Sequence, residues 1–169
     1  RGVDNDERRF VLIKEYFPVT LCNGRSPDGD LMPKEGREVL FKTSRMDFKD
    51  LYDDLHRITP ATGLSQILDV MEENNTVYAV EETEKGMTLT HYLKLRARTL
   101  TPVEARTLLQ PVMEGVALLH KAGLIHRDIS PDNLMLEQGS VRLLDFGCAR
   151  ESSRGTDSTM AVALKQGYA

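Results

Sequence analysis

Apolar residues crowd the stretch RRFVLIKEYF (residues 8–17), whose β-branched and aromatic content predicts a strand ended by Pro18. The following NGRSPDGDLMPKEGRE (23–38) is rich in Gly, Pro and Asp and reads as a loop or exposed excursion. VLFKT (39–43) reads as a short strand. Phe48, Leu51, Tyr52, Leu55 and Ile58 then recur at helical spacing, with Ser44 and Asp47 as a capping pair and Pro60 as the stop. SQILDVMEENNTVYAVEE (65–82) predicts a hairpin about the turn ENN, and TLTHYLKLRAR (88–98) a short helix. In TPVEARTLLQPVMEGVALLHKAG (101–123), Thr101 caps, Pro102 takes the first helical position, Glu104 completes a capping box and Gly123 suits the exit. Leu109, Val112, Met113, Val116 and Leu119 form the apolar face of that helix, and Pro111 predicts a kink. CARESSRGTDSTMAVALKQGYA (148–169) is rich in small polar residues and reads as a mobile segment.

Composition narrows the function classes. The 169 residues are 40% hydrophobic and 28% charged, ordinary for one globular domain, and the net charge of −4 offers no basic footprint for nucleic acid. No apolar run is long enough to cross a bilayer, and the charged start RGVDNDERRF lacks the apolar stretch of a secretory signal. Cys22 and Cys148 lie far apart without metal-ligand spacing, so reduced thiols and a cytoplasmic location are expected. Cys148 reads as a small apolar packing residue.

The chemistry concentrates in HRDISPDNLMLEQGSVRLLDFG (126–147). LML, the turn EQGS and VRLL predict a hairpin that runs out and back, returning Asp145 to the neighbourhood of Asn133. Both side chains offer the hard oxygens that magnesium prefers, and magnesium usually takes only one or two ligands from protein. Asp128 lies just upstream, beside the place where an acceptor hydroxyl would meet a transferred phosphoryl group. Phosphoryl transfer asks for little more than positioned phosphates, neutralised charge and an oriented hydroxyl. His126 reads as a core histidine that orders this loop, not as a proton carrier.

HRDISPDNLML and LLDFG resemble the catalytic loop and metal-binding motif of the eukaryotic-type protein kinases, matching H-R-D-x-x-x-x-N followed by D-F-G. VLIKEYFP resembles the strand that carries the family's nucleotide-contacting lysine, in wording similar to bacterial serine/threonine kinases. The resemblance covers nearly the whole chain in the family's order. It implies an α+β, protein-kinase-like fold that is partial: an incomplete N-terminal β lobe over 1–86 and the first part of the helical C-terminal lobe over 87–169. It also implies ATP and magnesium as cofactors and a protein as substrate. Asp128 would be the catalytic base, Asn133 and Asp145 the metal ligands, and Lys14 the contact to the α- and β-phosphates. Asp54 would be the helix carboxylate paired to Lys14. Met135 would floor the adenine, with Glu82 and Thr83 in the hinge. Arg127 would pair with a phosphate on the activation segment, where Thr156, Ser158 and Thr159 are candidate acceptors.

The pattern departs from the family in places. Only Gly2 lies upstream of Lys14, so the glycine-rich phosphate loop is not expected, and the chain stops at KQGYA before the rest of the helical lobe. Both features suggest an excised piece of a kinase domain, inactive alone, with an exposed apolar patch or self-association where helical partners are missing. Leu12 would narrow the space above adenine. Glu81 stands where an apolar residue usually guards the rear of the pocket, and a carboxylate there needs a partner or exposure. Ser130 replaces a lysine common in serine/threonine kinases. The alternative is a pseudokinase or regulatory binding module without turnover. A kinase-fold enzyme acting on a small molecule is disfavoured by the Ser/Thr-rich segment ending in GYA.

Overall fold

A computed structural model of the protein describes residues 1–60 and 63–151, with the backbone alone at 150 and 151. The candidate acceptors Thr156, Ser158 and Thr159 lie outside the described residues. The described chain mixes helices with antiparallel sheets and divides into two units. One comprises Arg1–Arg57 with Gln66–Thr83; the other comprises Ile58–Ser65 with the chain from Glu84 onward.

The first unit is built on a four-stranded antiparallel sheet. Its strands are β1 (Gly2–Asp4), β2 (Arg9–Glu15), β5 (Ile67–Glu73) and β6 (Thr76–Glu82), in the order β1-β2-β6-β5. The first expected strand is therefore shorter than its apolar run, and three residues at the start of the chain pair with it. The ENN turn forms as expected: Asn74 and Asn75 both take φ near +50° (51° and 54°), which asparagine tolerates and a two-residue hairpin needs.

The stretch 23–38 is not a loop. It holds a hairpin of β3 (Cys22–Arg25) and β4 (Leu31–Pro33), bulged between Cys22 and Gly24. Cys22 and Leu31 join Tyr16, Phe41 and Val77 in a buried cluster, and this apolar anchorage outweighs the Gly/Pro/Asp composition. The Asn75 side-chain Nδ2 donates to the Leu31 carbonyl at 2.7 Å, and the Leu31 backbone amide to the Asn74 carbonyl at 2.8 Å, so the hairpin is tied to the turn between β5 and β6.

Helix α1 spans Glu38–Ile58, which places VLFKT inside a helix instead of a strand. A short apolar run does not distinguish the two states; here Phe41 continues the stripe of Phe48, Leu51, Tyr52 and Leu55. Ser44 consequently sits in mid-helix and caps nothing. Its hydroxyl donates to the Leu40 carbonyl at 2.7 Å and meets the Tyr16 phenol at 2.5 Å. Burial pushes the Tyr16 phenol up. Tyr16, Phe41, Phe48 and Tyr52 form a chain of tilted rings with centroids 4.5–5.8 Å apart.

The second unit contains β7 (Met87–Thr88), helix α2 (Leu89–Leu95), helix α3 (Pro102–Lys121), β8 (Leu124–Ile125), β9 (Leu134–Glu137), β10 (Ser140–Leu143) and β11 (Arg150–Glu151). β7, β9 and β10 form one small sheet, and β8 pairs with β11. The capping box of α3 forms as expected: Thr101 Oγ1 accepts from the Glu104 amide, and the Glu104 carboxylate accepts from the Thr101 amide. Thr101→Ala should lower stability by about 1 kcal/mol, read as a shift of the urea midpoint; an unchanged midpoint would contradict the cap. The Arg98 guanidinium beside Glu104 holds its carboxyl well below the usual carboxylate range. That contribution is present above the carboxylate's unfolded pKa, about 4.3, and fades as pH falls below it.

α3 passes through Pro111 without ending and exits at Gly123, which takes φ 78°. Val112 and Leu119 of its apolar face are buried, whereas Met113 stays 54% exposed. With Ile129 and Leu134, this face lines an open apolar groove. Among the described residues no helix is long and apolar enough to cross a membrane.

Candidate active site

The 126–147 stretch folds back on itself through backbone geometry first. β9 and β10 pair antiparallel, with Leu134 opposite Leu143, so the residues just outside the ladder, Asn133 and Leu144, also face each other. The Leu144 amide donates to the Asn133 carbonyl at 2.8 Å, which places Asp145 next in line beside Asn133. A 3-10 turn at Pro131–Asn133, closed by Asn133 N–H to the Ser130 carbonyl at 2.9 Å, turns the Asn133 side chain back toward Asp128. Its Nδ2 donates to the Asp128 carbonyl at 2.8 Å and to Asp128 Oδ2 at 2.7 Å. With both amide protons committed to Asp128, Oδ1 is the atom this amide offers a cation.

His126 holds the two halves of the loop together. It is 1% exposed; its Nδ1 accepts from the Asp128 amide at 3.3 Å, and its Nε2 lies 3.1 Å from the Leu144 carbonyl. An accepting Nδ1 leaves the proton on Nε2, which therefore donates to Leu144. The ring meets the buried Phe146 edge-on, with centroids 5.4 Å apart. This is the loop-ordering role expected of it.

Three non-glycine residues of this stretch adopt the left-handed region: Gln138 in the hairpin turn at φ 49°, and Arg127 and Asp145 at φ 67° and 61°. Such conformations cost of order 1–3 kcal/mol each and persist only where surrounding bonds hold them. Asp145 is exposed at the tip, and its Oδ1 accepts from the Gly147 amide at 3.2 Å. Among the described residues no group of three His, Cys, Asp or Glu is arranged to hold a metal. Asn133 and Asp145 both carry side-chain oxygens in the turn-back, and magnesium usually takes only one or two ligands from protein. Met135 lies on β9 between Arg142 and Thr88, half-buried. Cys148 is exposed, so it does not pack as a small apolar residue: the turn Phe146–Cys148 buries Phe146 and turns the thiol outward.

In the first unit, Lys14 lies on β2 and Glu82 ends β6, where its amide donates to the Gln66 carbonyl at 2.9 Å; Thr83 follows, half-buried. Asp54, the expected partner of Lys14, pairs instead with Arg57 one helical turn on, at 2.5 Å. Lys14 Nζ stands 3.0 Å from Glu81 Oε1.

A family model described as the protein kinase domain matches residues 54–169. The chain belongs to the protein kinase family. Its relatives include serine/threonine kinases: it is 31% identical over 130 residues to serine/threonine-protein kinase PrkC of Bacillus subtilis (71% of this chain, 20% of the relative). It is 38% identical over 86 residues to the mouse hormonally up-regulated neu tumor-associated kinase (50% of this chain, 12% of the relative). The solved structure of PpkA-294 in its apo form is similar with a TM-score of 0.65 and 29% identity, covering 86% of this chain and 52% of that one. The chain thus spans about half of that structure and a fifth or less of these curated relatives.

Within this kinase chain, the carboxylate beside Lys14 is what sequence reasoning misassigned. The signal was available: a glutamate among apolar residues of a predicted strand needs a partner, and the lysine lies on the other predicted strand.

Proposed function

We propose that this chain carries the chemical residues of an ATP- and magnesium-dependent kinase that phosphorylates serine or threonine hydroxyls of proteins. The observation that carries the reading is the Asn133 junction, which bonds Asp128 at 2.7 and 2.8 Å and receives the amide of Leu144, the residue before Asp145, at 2.8 Å. Asp128 accepts a hydrogen bond from the acceptor hydroxyl and aims its oxygen. Asn133 Oδ1 and an Asp145 carboxylate oxygen would hold magnesium, which would neutralise charge on the phosphates. Lys14 contacts the α- and β-phosphates, and Glu82 and Thr83 form the hinge, with Met135 as the adenine floor. The two units support reading the chain as part of an N-lobe, about 1–86, followed by part of a C-lobe.

The intact protein should move label from γ-labelled ATP to a serine/threonine peptide library only with magnesium, and ATP should raise its Tm in a magnesium-dependent way. Asp145→Asn should remove both effects. Label transfer that persists in EDTA, or none at all, would sink the reading. A binding module without turnover is the second reading, favoured by the pairing of Lys14 with a residue other than Asp54. Magnesium-dependent stabilisation by ATP with no label transfer would select it.

A further inference from the structure

We propose that Glu81 is the residue that positions Lys14 toward the nucleotide, in place of a carboxylate on α1. The proposal rests on the kinase reading above and assigns a positioning role that the sequence had given to Asp54.

The register of the sheet makes the pair. On β2 and β6, Lys14 lies opposite Ala79 and Leu12 opposite Glu81, so Lys14 and Glu81 are diagonal neighbours on one face. Diagonal neighbours lie about 7–8 Å apart at the backbone, within reach of long side chains. Ala79, fully buried and small, leaves the space through which the lysine leans along the strand. The result is the 3.0 Å contact between Nζ and Oε1, with 24% of the lysine side chain and 4% of the glutamate side chain exposed.

In the sheet, Glu81 sits between apolar neighbours. Its strand neighbours are Leu12 on one side and the buried Ile67 on the other. A well-packed hydrophobic residue usually serves stability there as well as an ion pair does, or better. A carboxylate in that position is explained by what it does to the lysine. Two α1 carboxylates are engaged within the helix, Asp53 with Lys49 and Asp54 with Arg57. Central β6 is laddered to strands on both sides, so the pair is set by the sheet. Where a helix supplies the carboxylate, its placement controls the pair; here pairing is built into one ladder and does not wait for helix movement.

The test compares wild type, Glu81→Gln, Glu81→Asp, Glu81→Met, Lys14→Met and the double variant Lys14→Met/Glu81→Gln in the intact protein. Phosphate transfer gives kcat and KM for ATP. A lysine-acylating acyl-phosphate of ATP, read at Lys14 by mass spectrometry, reports lysine placement without turnover. Glu81→Gln should lower kcat/KM about a hundredfold, the scale of a misplaced contact, and lower Lys14 labelling by at least tenfold. Glu81→Asp should recover part of both. In the Lys14→Met background, Glu81→Gln should add less than a twofold loss, because a residue acting through the lysine has nothing left to position. Glu81→Met, apolar and of similar length, supplies the same comparison should the glutamine variant not fold.

Unchanged labelling in folded Glu81 variants, a Glu81→Gln loss that adds in full to that of Lys14→Met, or a wild type unlabelled at Lys14 would each overturn the assignment. So would a hundredfold loss in Asp54→Asn, measured alongside this series, with the Glu81 variants unaffected. A wild type that transfers no phosphate yet shows Glu81-dependent labelling at Lys14 would defeat the kinase reading and leave this assignment standing.

Discussion

Replacing Asp128 with asparagine should lower phosphate transfer by about 10²–10⁴-fold, the range for loss of a positioned base, with little change in Tm. The substitution is isosteric, and the contacts that hold position 128 survive it. The carbonyl still accepts from Asn133 Nδ2, the amide still donates to His126 Nδ1, and a side-chain amide oxygen can still accept in place of Oδ2. What disappears is the negative charge that orients the acceptor hydroxyl. Steady-state transfer to a peptide substrate, with circular dichroism melts alongside, separates chemistry from folding. Retained turnover in a folded Asp128→Asn protein would remove Asp128 from its role, whatever the family resemblance says.

The largest effect on stability should come from Gly63→Ala, with an expected cost of about 3 kcal/mol or more, combining overpacking with a disfavoured backbone region. A Cβ at Gly63 would stand 1.8 Å from the Pro111 carbonyl oxygen, 2.3 Å from its carbon and 2.9 Å from the Val112 nitrogen. All three are backbone atoms of α3, so no side-chain rotation relieves the clash. Nor can the segment retreat easily: the Gly63 carbonyl accepts from the Leu143 amide, and the Ser65 amide donates back to the Leu143 carbonyl, both at 2.9 Å. At φ 84° an added Cβ is strained even without the contact. Gly123 is the natural control, since at φ 78° nothing lies within 4 Å of its Cβ and only the backbone term, about 1–2 kcal/mol, applies. Urea unfolding of both variants checks the prediction, and equal midpoint shifts would show that the close approach to α3 carries no cost.

How much could be read in advance varied with the range of the interaction. The start of α3 was legible because Thr101, Pro102 and Glu104 act on backbone groups within four residues. The turn-back between Asn133 and Asp145 was legible for a similar reason: a short hairpin fixes its own register, and the Leu144 to Asn133 bond follows from it. Helix α1 was half-read. Its C-terminal stripe showed clearly, but Val39, Leu40 and Phe41 suit a strand as readily as a helix until Phe41 is seen against Tyr16. The hairpin of β3 and β4 was missed because its turn-forming residues dominate the composition, while only Cys22 and Leu31 reach the buried cluster.

By itself the sequence determined the order of the motifs, the capping box of α3, the two tight hairpins and the chemical groups at Lys14, Asp128, Asn133 and Asp145. These depend on residues close together along the chain. Tertiary structure alone decided which carboxylate meets Lys14. That choice depends on how β2 registers against β6, some sixty-seven residues away, where a shift of one position would turn Glu81 to the opposite face. It also decided that Gly63 must lie against the backbone of α3, because close approach between distant segments leaves no local trace except a glycine.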